Sequence, residues 1–320
     1  MLPITHEVSI KGKRLEVPAF RLDNIVVVVN GRFLKVAEVF DEYWLETKVL
    51  PDPQQVVRQL REANHNVDLF TFAQRVPDTK PCFDFHMEWD NVAVIPVSTY
   101  ETWYREQISS GRRRDIRYSE KRGVVVRAAE FDEKYIHGIM SIYNESPFRG
   151  GRKYWHYGKD FDTVQTENGT YRERSTFLAA YFQGEMIGYM KIVWDTHSAS
   201  IMQILSKIEF REKLPNNALI SEAVRLCAER KIPYLLYSQF VYGSKTESSL
   251  TRFKQANGFV RMDIPRYFVP LTLKGHVVLK LGLHGNPKDL IPRRLRSPLL
   301  EIRDRWYATR SKEDGRRSHA

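Results

Sequence analysis

The sequence predicts an α+β protein in which helices flank a mixed central sheet, arranged as two successive domains. The second part of the chain alternates strand-like and helix-like segments in the order β-α-βββ-α-β-α-β-β. Short turns separate its three central strand-like segments, which is typical of an antiparallel meander. The chain has 320 residues, 42% of them hydrophobic, enough for two modest domains with packed cores.

The first part of the chain carries four strand-like segments and two helix-like ones. Alternation in "RFLKVAEVF", together with the Asn30-Gly31 turn before it, predicts a β-hairpin. Asp52 is a candidate N-cap, and Pro53 suits the first helical position after it. The predicted strands are 25–29, 33–39, 67–72 and 91–97, and the predicted helices are 53–64 and about 99–122.

The second part contains the meander and the helices around it. Asn216 is a candidate N-cap for the helix after the meander, because apolar residues then repeat on one helical face. We expect domain boundaries that give residues 1–98, residues 99–275 and an extension of 276–320. The predicted elements are strand 124–129, helix 132–146, a long loop 147–175, strands 176–182, 186–194 and 198–208, the Asn216 helix, strand 233–240, helix 246–257, and strands 259–262 and 266–271.

Positive charge is concentrated near the C-terminus. The net charge is +11, and residues 275–320 hold 11 Lys and Arg against 5 Asp and Glu. Such an excess favours polyanionic partners: RNA, nucleotide-linked sugars, CoA or an anionic membrane surface. An equally weighted interpretation is that the positive charge only keeps the protein soluble.

Composition also bears on the compartment. No apolar run approaches the roughly 20 residues needed to cross a bilayer, and the N-terminal residues lack the apolar segment of a secretory signal. The chain has two cysteines, Cys82 and Cys227, and they are far apart in the sequence. This fits a reducing compartment better than a disulfide framework. We therefore predict a cytoplasmic protein.

Three phrases resemble the FemAB-type branch of the GNAT acyltransferase superfamily. They are "RRRDIRYSEKRGVVVR" (112–127), "PNNALISEAVRLCAERKIPYLLY" (215–237) and "LTRFKQANGF" (250–259), and the resemblance covers roughly residues 100–270. It implies a GNAT fold preceded by a GNAT-like half-domain. It also implies transfer of an acyl group to an amine, with cell-envelope precursors or polysaccharide amino sugars as acceptors.

The loop "FREKLPNN" (210–217) bears on the identity of the acyl donor. Many acetyl-CoA-dependent GNAT enzymes carry Gln/Arg-x-x-Gly-x-Gly/Ala here, because glycines expose backbone N–H groups to the pyrophosphate. This loop has no glycine, and Pro215 lacks an N–H donor. We favour acyl-CoA (acetyl-CoA) as co-substrate, because the chain lacks the long paired helical insertion of tRNA-using Fem proteins; aminoacyl-tRNA is the alternative. The candidate donor-binding residues are Arg211, Lys213, Asn216, Asn217 and Lys254.

The stretch "IYNESPFRGGRKYWHYGKDF" (142–161) contains the candidate acceptor loop. Arginines flanking a Gly pair can present their guanidinium groups to a phosphate or carboxylate, while glycines permit close approach. The simpler alternative is an exposed loop anchored by its aromatic side chains. The predicted substrate-binding residues are Arg149, Gly150, Gly151, Arg152 and Tyr157, with Asp195 added by analogy with the fold.

Acyl transfer needs a base or water relay, a donor to the tetrahedral oxyanion and an acid for the leaving group. By analogy with the fold, the candidates lie where the central strands separate. Glu145 is the preferred base and His156 a second titratable candidate. Gln203 interrupts the apolar run "ASIMQILSKI", and Tyr242 follows the strand "PYLLYSQF" near where related folds carry an acidic tyrosine. The simpler interpretation is that each of these four side chains is packed in the core or exposed to solvent without a catalytic role.

Other chemistries and functions are weighed against this one. The nine histidines are dispersed without a His-x-x-x-His pair, so no metal site is predicted. The stretch "SPLLEIRDRWYATR" (297–310) predicts a short amphipathic helix that docks on the protein, on an anionic membrane or on RNA. The rival functions are a non-catalytic RNA- or envelope-binding module and a membrane-peripheral scaffold.

Overall fold

The computed structural model describes residues 2–10, 13–23, 25–49, 52–62, 67–242 and 248–284. The predicted amphipathic helix at 297–310 lies outside these residues. The strands are β1 (Leu2–Ile10), β2 (Lys13–Leu22), β3 (Ile25–Asn30), β4 (Val36–Val39), β5 (Leu69–Ala73), β6 (His86–Pro96), β7 (Val125–Ala129), β8 (Phe148–Arg149), β9 (Arg152–Lys153), β10 (Ser175–Phe182), β11 (Glu185–Trp194), β12 (Ser198–Ser206), β13 (Tyr234–Leu236) and β14 (Val260–Pro270).

The α-helices lie between these strands and after them. They are α1 (Pro53–Glu62), α2 (Tyr100–Thr102), α3 (Ser110–Lys121), α4 (Glu133–Asn144), α5 (Phe161–Asn168), α6 (Pro215–Glu229), α7 (Ser249–Ala256) and α8 (Leu273–Lys280). A π-helical turn, Trp103–Gln107, continues α2, and short 3-10 turns precede α1, β10 and α6.

Twelve of these strands form one mixed sheet. Their order is β1-β2-β3-β4-β5-β14-β6-β13-β12-β11-β10-β7, with parallel pairing between β4 and β5 and between β12 and β13. The last strand, β14, runs between β5 and β6, so the sheet passes from N-terminal to C-terminal strands without a break. Helix α8 spans the expected boundary at residue 275, and the domain division stays a prediction.

Helices cover both faces of the C-terminal strands. On one face α3 and α6 pack through Ile116, Leu219 and Val224 against Ile192 and Ile201. On the other face the core is formed with α4 and α5. Among the N-terminal strands, α1 buries Val56, Val57 and Leu60 against a separate apolar cluster. The predicted α+β class, with a mixed sheet flanked by helices, is confirmed.

Several predicted boundaries are wrong for local reasons. The helix at 99–122 is interrupted because Ile108 is extended and the Ser109 side chain caps α3. The segment 147–175 is not one loop, because it holds the β8–β9 hairpin and α5, which Asp160 caps. Asn216 does not cap α6: Leu214 takes the N-cap position with a left-handed φ of 58°, and Pro215 is the first helical residue.

Strands differ from the prediction at the N-terminus and after α6. The β1–β2 hairpin was not predicted, although its register is regular from Leu2–Arg21 onward. Strand β13 is three residues long rather than the predicted 233–240, and β14 is one continuous strand where two were expected. The Asn30-Gly31 hairpin does form, but β4 begins only at Val36. Pro53 begins α1, and the Asp52 carboxylate accepts from the Gln54 N–H, as predicted.

Candidate active-site cleft

The central strands separate beside the meander. Strand β13 pairs with β12 only over Ser198–Ser200, and β12 then continues to Ser206 without that neighbour. A β-bulge at Met202 bends β12 at the point of separation, because Lys191 pairs with Gln203 while Ile192 pairs with Ile201. The divergence leaves a wedge between the second half of β12 and the chain after Leu236. Ligands of open α/β sheets commonly bind where neighbouring strands part in this way.

A chain of neutral hydroxyl groups leads to Gln203. The Tyr143 and Tyr189 hydroxyls lie 2.8 Å apart, and the Tyr189 hydroxyl donates to Gln203 Oε1 at 2.9 Å. Burial raises the pKa of Tyr143 to about 12 and holds the pKa of Tyr189 well above its usual value. Both phenols are therefore protonated at neutral pH and fix the orientation of the Gln203 amide.

A buried lysine lies on the β13 side of the wedge. Lys254, from α7, is 0% exposed, and its ammonium donates to the carbonyl oxygens of Tyr237, at 2.8 Å, and of Gln239. Its Nζ is also 5.0 Å from the ring centroid of Tyr242, which is 41% exposed. Burial lowers the pKa of Lys254 to about 8. Lys254 thus holds the segment after β13 from beneath, rather than lying with the other predicted donor ligands.

The glycine-free loop after β12 presents a mixture of exposed and buried groups. Arg211 is exposed, whereas Lys213 lies 4.1 Å from the centroid of the Phe182 ring. Asn217 is buried, and its N–H donates to the Leu214 carbonyl. Among the described residues, Asn216 Oδ1 is buried without a hydrogen-bond partner. Leu214 makes the turn into α6 in the left-handed conformation, which glycine adopts more readily than other residues.

Glu145 and Arg149 clamp the start of this loop. The Glu145 carboxylate accepts from the N–H groups of Ile208, at 2.7 Å, and Glu209, at 2.8 Å. It also lies 3.1 Å from an Arg149 nitrogen, and Arg149 donates to the Ser206 carbonyl at 2.9 Å. Both carboxylate oxygens are engaged, so the geometry favours a positioning role for Glu145 over that of a base.

The tip of the predicted acceptor loop is open. Gly150 and Gly151 have φ values of 57° and 74°, and an added Cβ at either would meet no described atom within 4 Å. Arg152 beside them is exposed, and Tyr157 is 47% exposed. The structure brings Gly150, Gly151 and Arg152 together at the hairpin turn, while Arg149 points back into the clamp.

His156 lies beneath this hairpin, among aromatic rings. Its ring centroid is 4.3 Å from that of Tyr143 and 5.3 Å from that of Tyr154. Burial, reinforced by the charges of Lys159 and Arg149, lowers the pKa of His156 to about 3. The imidazole is therefore neutral at neutral pH and a weak base.

Asp195, which follows β11, contacts residues from the first part of the chain. We call residues before and after about 98 the two halves of the chain. Its carboxylate accepts from the Thr47 hydroxyl at 2.6 Å and from the Thr47 N–H, and it lies 3.7 Å from Arg75. Although burial opposes ionisation, these hydrogen bonds and Arg75 lower the pKa of Asp195 overall. Arg75 also lines a cavity of about 170 Å³ between the halves, together with Ser200 of β12 and Leu236 of β13. Asp195 is therefore connected through Arg75 to the cavity that adjoins the separating strands.

Sequence reasoning did not identify Glu42 and Tyr43, which form a polar cluster with Arg266 beside this cavity. Glu42 accepts from the Ala73 N–H at 2.7 Å and pairs with Arg266 at 3.2 Å. Arg266 also pairs with Asp90 at 3.1 Å and donates to the Tyr43 hydroxyl. Burial raises the pKa of Glu42 and raises that of Tyr43 to about 12. The sequence "FDEYW" carries no spacing that indicates a site.

A second missed residue had a visible signal. Lys191 is a lone charge in the apolar run "MIGYMKIVW", and it is buried. Its ammonium donates to the Asn168 carbonyl and the Thr170 hydroxyl, each at 2.9 Å. Burial lowers the pKa of Lys191 to about 8. A charge amid β-strand residues could have been read as a buried, hydrogen-bonded group.

Comparison with known proteins bears on the fold. No protein-family model matches the sequence, and no curated protein matches it. FemX superimposes with a TM-score of 0.56 at 9% identity, covering 87% of this chain and 90% of that one. The chain has a FemAB-like fold. This FemAB-like fold also matches the C-terminal domain of a proposed lysylphosphatidylglycerol synthetase from Agrobacterium fabrum, with a TM-score of 0.53 at 10% identity, over 83% of this chain and 88% of that one.

A third match carries no functional name. A conserved protein of unknown function from Bacteroides thetaiotaomicron has a TM-score of 0.51 at 10% identity, over 80% of this chain and 86% of its own. The resemblance predicted from the sequence is confirmed for the fold. Within the described residues, no helix is long and apolar enough to cross a membrane.

Proposed function

We propose that this protein is an N-acyltransferase that moves an acyl group to an amine of a cell-envelope or polysaccharide precursor. The observation that carries the proposal is the wedge where bulged β12 separates from β13, beside the start of α6, in a FemAB-like fold. One structural neighbour is named for lysylphosphatidylglycerol, a lipid that carries an aminoacyl group. The reaction would take place in the cytoplasm.

The proposed chemistry is attack of the acceptor amine on the acyl carbonyl carbon, followed by expulsion of the donor group. The Gln203 amide, oriented by Tyr189, is suited to hydrogen-bond a reacting group in the wedge. Tyr242, exposed beside the Lys254 ammonium, is the proposed acid for the leaving group. We propose Glu145 and His156 as bases only through a water relay, because both Glu145 oxygens already accept hydrogen bonds and neutral His156 is a weak base.

The acceptor would bind at the open hairpin and the cavity between the halves. Arg152, with Gly150 and Gly151, is free to approach an anionic group from the hairpin tip. Tyr157 offers an exposed ring to a sugar. Asp195 lies 3.7 Å from Arg75, which lines the cavity, and its carboxylate of lowered pKa is the proposed partner of the acceptor amine. Arg149 supports the acceptor loop by holding its base.

The favoured donor is acyl-CoA. Arg211 is exposed at the start of the 15-residue helix α6, whose N-terminal dipole favours an anion. Asn216 is the second residue of α6, and Lys213 and Asn217 flank the turn at Leu214. Lys254 would act from the other side of the wedge by holding the segment after β13. Peripheral membrane contact through residues 297–310 stays a prediction.

Aminoacyl-tRNA is the second candidate donor, and α3 favours it. Arg114, Arg117 and Lys121 are all exposed on that helix and form a basic surface suited to a nucleic-acid backbone. The turn built on Leu214 also lacks the open backbone that a pyrophosphate usually meets. A protein that binds RNA through α3 without transferring anything would be the non-catalytic rival.

Calorimetric titration separates these functions. Wild type, Arg211→Ala and the control Arg58→Ala, an exposed arginine on α1, are titrated with acetyl-CoA, CoA and a non-hydrolysable aminoacyl-tRNA analogue. We expect micromolar CoA binding, weakened at least about tenfold by Arg211→Ala because a charge-assisted phosphate contact is lost, and unchanged in the control. Binding of the tRNA analogue alone would favour aminoacyl transfer. Failure of both ligands would overturn the proposal.

A further inference from the structure

Three potential metal ligands meet at the middle of the large sheet. His86 and Glu88 lie two residues apart on β6, so both side chains project from the same face of the strand. His284, just after α8, reaches the same point. His284 Nε2 is 2.6 Å and His86 Nε2 is 3.5 Å from Glu88 Oε1, and the three ligand atoms all lie within 4.8 Å of one another. Spacing in the sequence gave no sign of this cluster.

Packing fixes the His284 ring in this position. The side chain is 3% exposed, and its ring centroid is 4.6 Å from that of Phe268 on β14. Phe268 is the register partner of His86 across the β14–β6 pair. His284 Nδ1 is buried without a hydrogen-bond partner in the described chain. Within the described residues, the His284 ring therefore makes its hydrogen bond through Nε2, to Glu88.

Helix α8 carries His284 to the sheet and is itself firmly docked. The Thr272 hydroxyl and the Lys274 ammonium bind Asp68, at 2.9 and 2.8 Å. Gly275 lies so close to the Asp68 carbonyl that an added Cβ would be 2.0 Å from that oxygen. The position of His284 therefore follows from the packing of α8.

The Glu88 carboxylate is not taken up by the arginine across from it. Arg266 is the register partner of Glu88, yet its guanidinium binds Glu42 and Asp90 instead. Glu88 consequently faces the two imidazoles. A carboxylate with two neutral imidazoles is a ligand set suited to Zn²⁺ and similar transition metals.

We propose that His86, Glu88 and His284 bind one Zn²⁺ ion. Ligand bonds of about 2.0–2.2 Å in a tetrahedron separate neighbouring ligand atoms by roughly 3.3–3.5 Å. The His86–Glu88 distance already has this value, and the His284–Glu88 pair needs to open by less than an ångström. The metal would tie the end of α8 to β6.

The test uses the untagged full-length chain after chelation and dialysis. Zn²⁺ is titrated calorimetrically, and Co²⁺ is added separately to follow its visible absorption. Wild type is compared with His284→Ala, Glu88→Gln and the control His276→Ala, an exposed histidine on α8. The Glu88→Gln variant keeps the size of the side chain and guards against misfolding of the histidine variant.

One equivalent of Zn²⁺ should bind wild type and raise its unfolding temperature. The affinity should fall at least about 100-fold in His284→Ala and Glu88→Gln, because each removes one of three ligands, and stay unchanged in His276→Ala. The intense Co²⁺ absorption of a tetrahedral site should disappear with the same two variants. Absence of binding to wild type, or equal affinity in the His284 variant, would show that these residues form only a hydrogen-bonded cluster.

Discussion

Glu145, His156 and Lys254 are singled out by residue type in the sequence, but their surroundings decide what they do. Each lies where folding removes most of its contact with water, and each interacts with groups distant in the chain. Residue type and spacing therefore located chemically unusual positions. They did not reveal that Glu145 and Lys254 bind backbone groups, because those partners are set by the tertiary fold.

Burial of His156 makes stability depend on pH. The imidazole has a pKa of about 3 in the folded chain and about 6.5 when unfolded, so between these values the unfolded state binds more protons. Relative to His156→Phe, which keeps an aromatic ring, wild type should lose about 1.4 kcal/mol of stability per pH unit as pH falls from 6 to 4. Urea unfolding at each pH measures this. A parallel pH dependence in both proteins would contradict it, and His137→Phe, at an exposed site, is the control.

The contacts of Glu145 predict a structural defect in Glu145→Gln. The amide keeps one acceptor but loses the ion pair with Arg149 and turns an NH₂ toward a backbone N–H. We expect a loss of about 1–3 kcal/mol in the free energy of unfolding. Glu133→Gln, at an exposed position in the first turn of the preceding helix α4, should stay within about 1 kcal/mol of wild type. An unchanged denaturant midpoint for Glu145→Gln would contradict a stabilising role for the contacts of Glu145 with Arg149 and the loop after β12.

At the scale of elements, the sequence predicted those with strong periodicity and missed those governed by context. The meander and α6 have long apolar patterns, and their predicted positions agree closely with β10, β11, β12 and the helix. The start of α6 was misplaced because a left-handed leucine at the N-cap is uncommon. Strand β13 is short because the chain turns away from β12 after Leu236, which no local pattern records.

Docking of α8 can be tested through its glycine. An alanine at Gly275 would bring Cβ to 2.0 Å from the Asp68 carbonyl oxygen, so the helix must shift. We expect Gly275→Ala to lose about 1–3 kcal/mol of stability. Gly111→Ala on α3 is the matched control, since its Cβ would have no described neighbour closer than 3.7 Å. The control should be unchanged or stabilised by up to about 1 kcal/mol. Equal effects in the two variants would contradict the close contact.

At the scale of the whole molecule, strand order connects the two ends of the chain. The sequence predicted a two-part α+β fold, but not that β14 would return to lie between β5 and β6. Nothing local specifies such pairing, because it depends on which edges the earlier strands leave open. The same limit applies to the candidate site: residues of the meander were found, whereas the Glu42–Arg266 pair across the halves was not.

This strand order predicts how a fragment behaves. Residues 99–275 alone would leave β14 without β5 and β6, and β13 without β6. Exposed strand edges and the uncovered side chains of Tyr267 and Val269 should make the fragment unfolded or aggregated. The full-length chain should be folded under the same conditions, as judged by circular dichroism and size-exclusion chromatography. A fragment that unfolds cooperatively would support an independent domain at these boundaries instead.

The most direct test of the β12–β13 wedge as the donor site is hydrogen exchange with saturating donor. Acetyl-CoA and the aminoacyl-tRNA analogue are each compared with the protein alone, with Arg211→Ala as a binding-deficient reference. A donor in the wedge should slow exchange in residues 201–206, in the loop 207–217 and in the segment after β13, because these surround the separation of the strands. Protection confined to α3, or no protection with either donor, would contradict the proposed site.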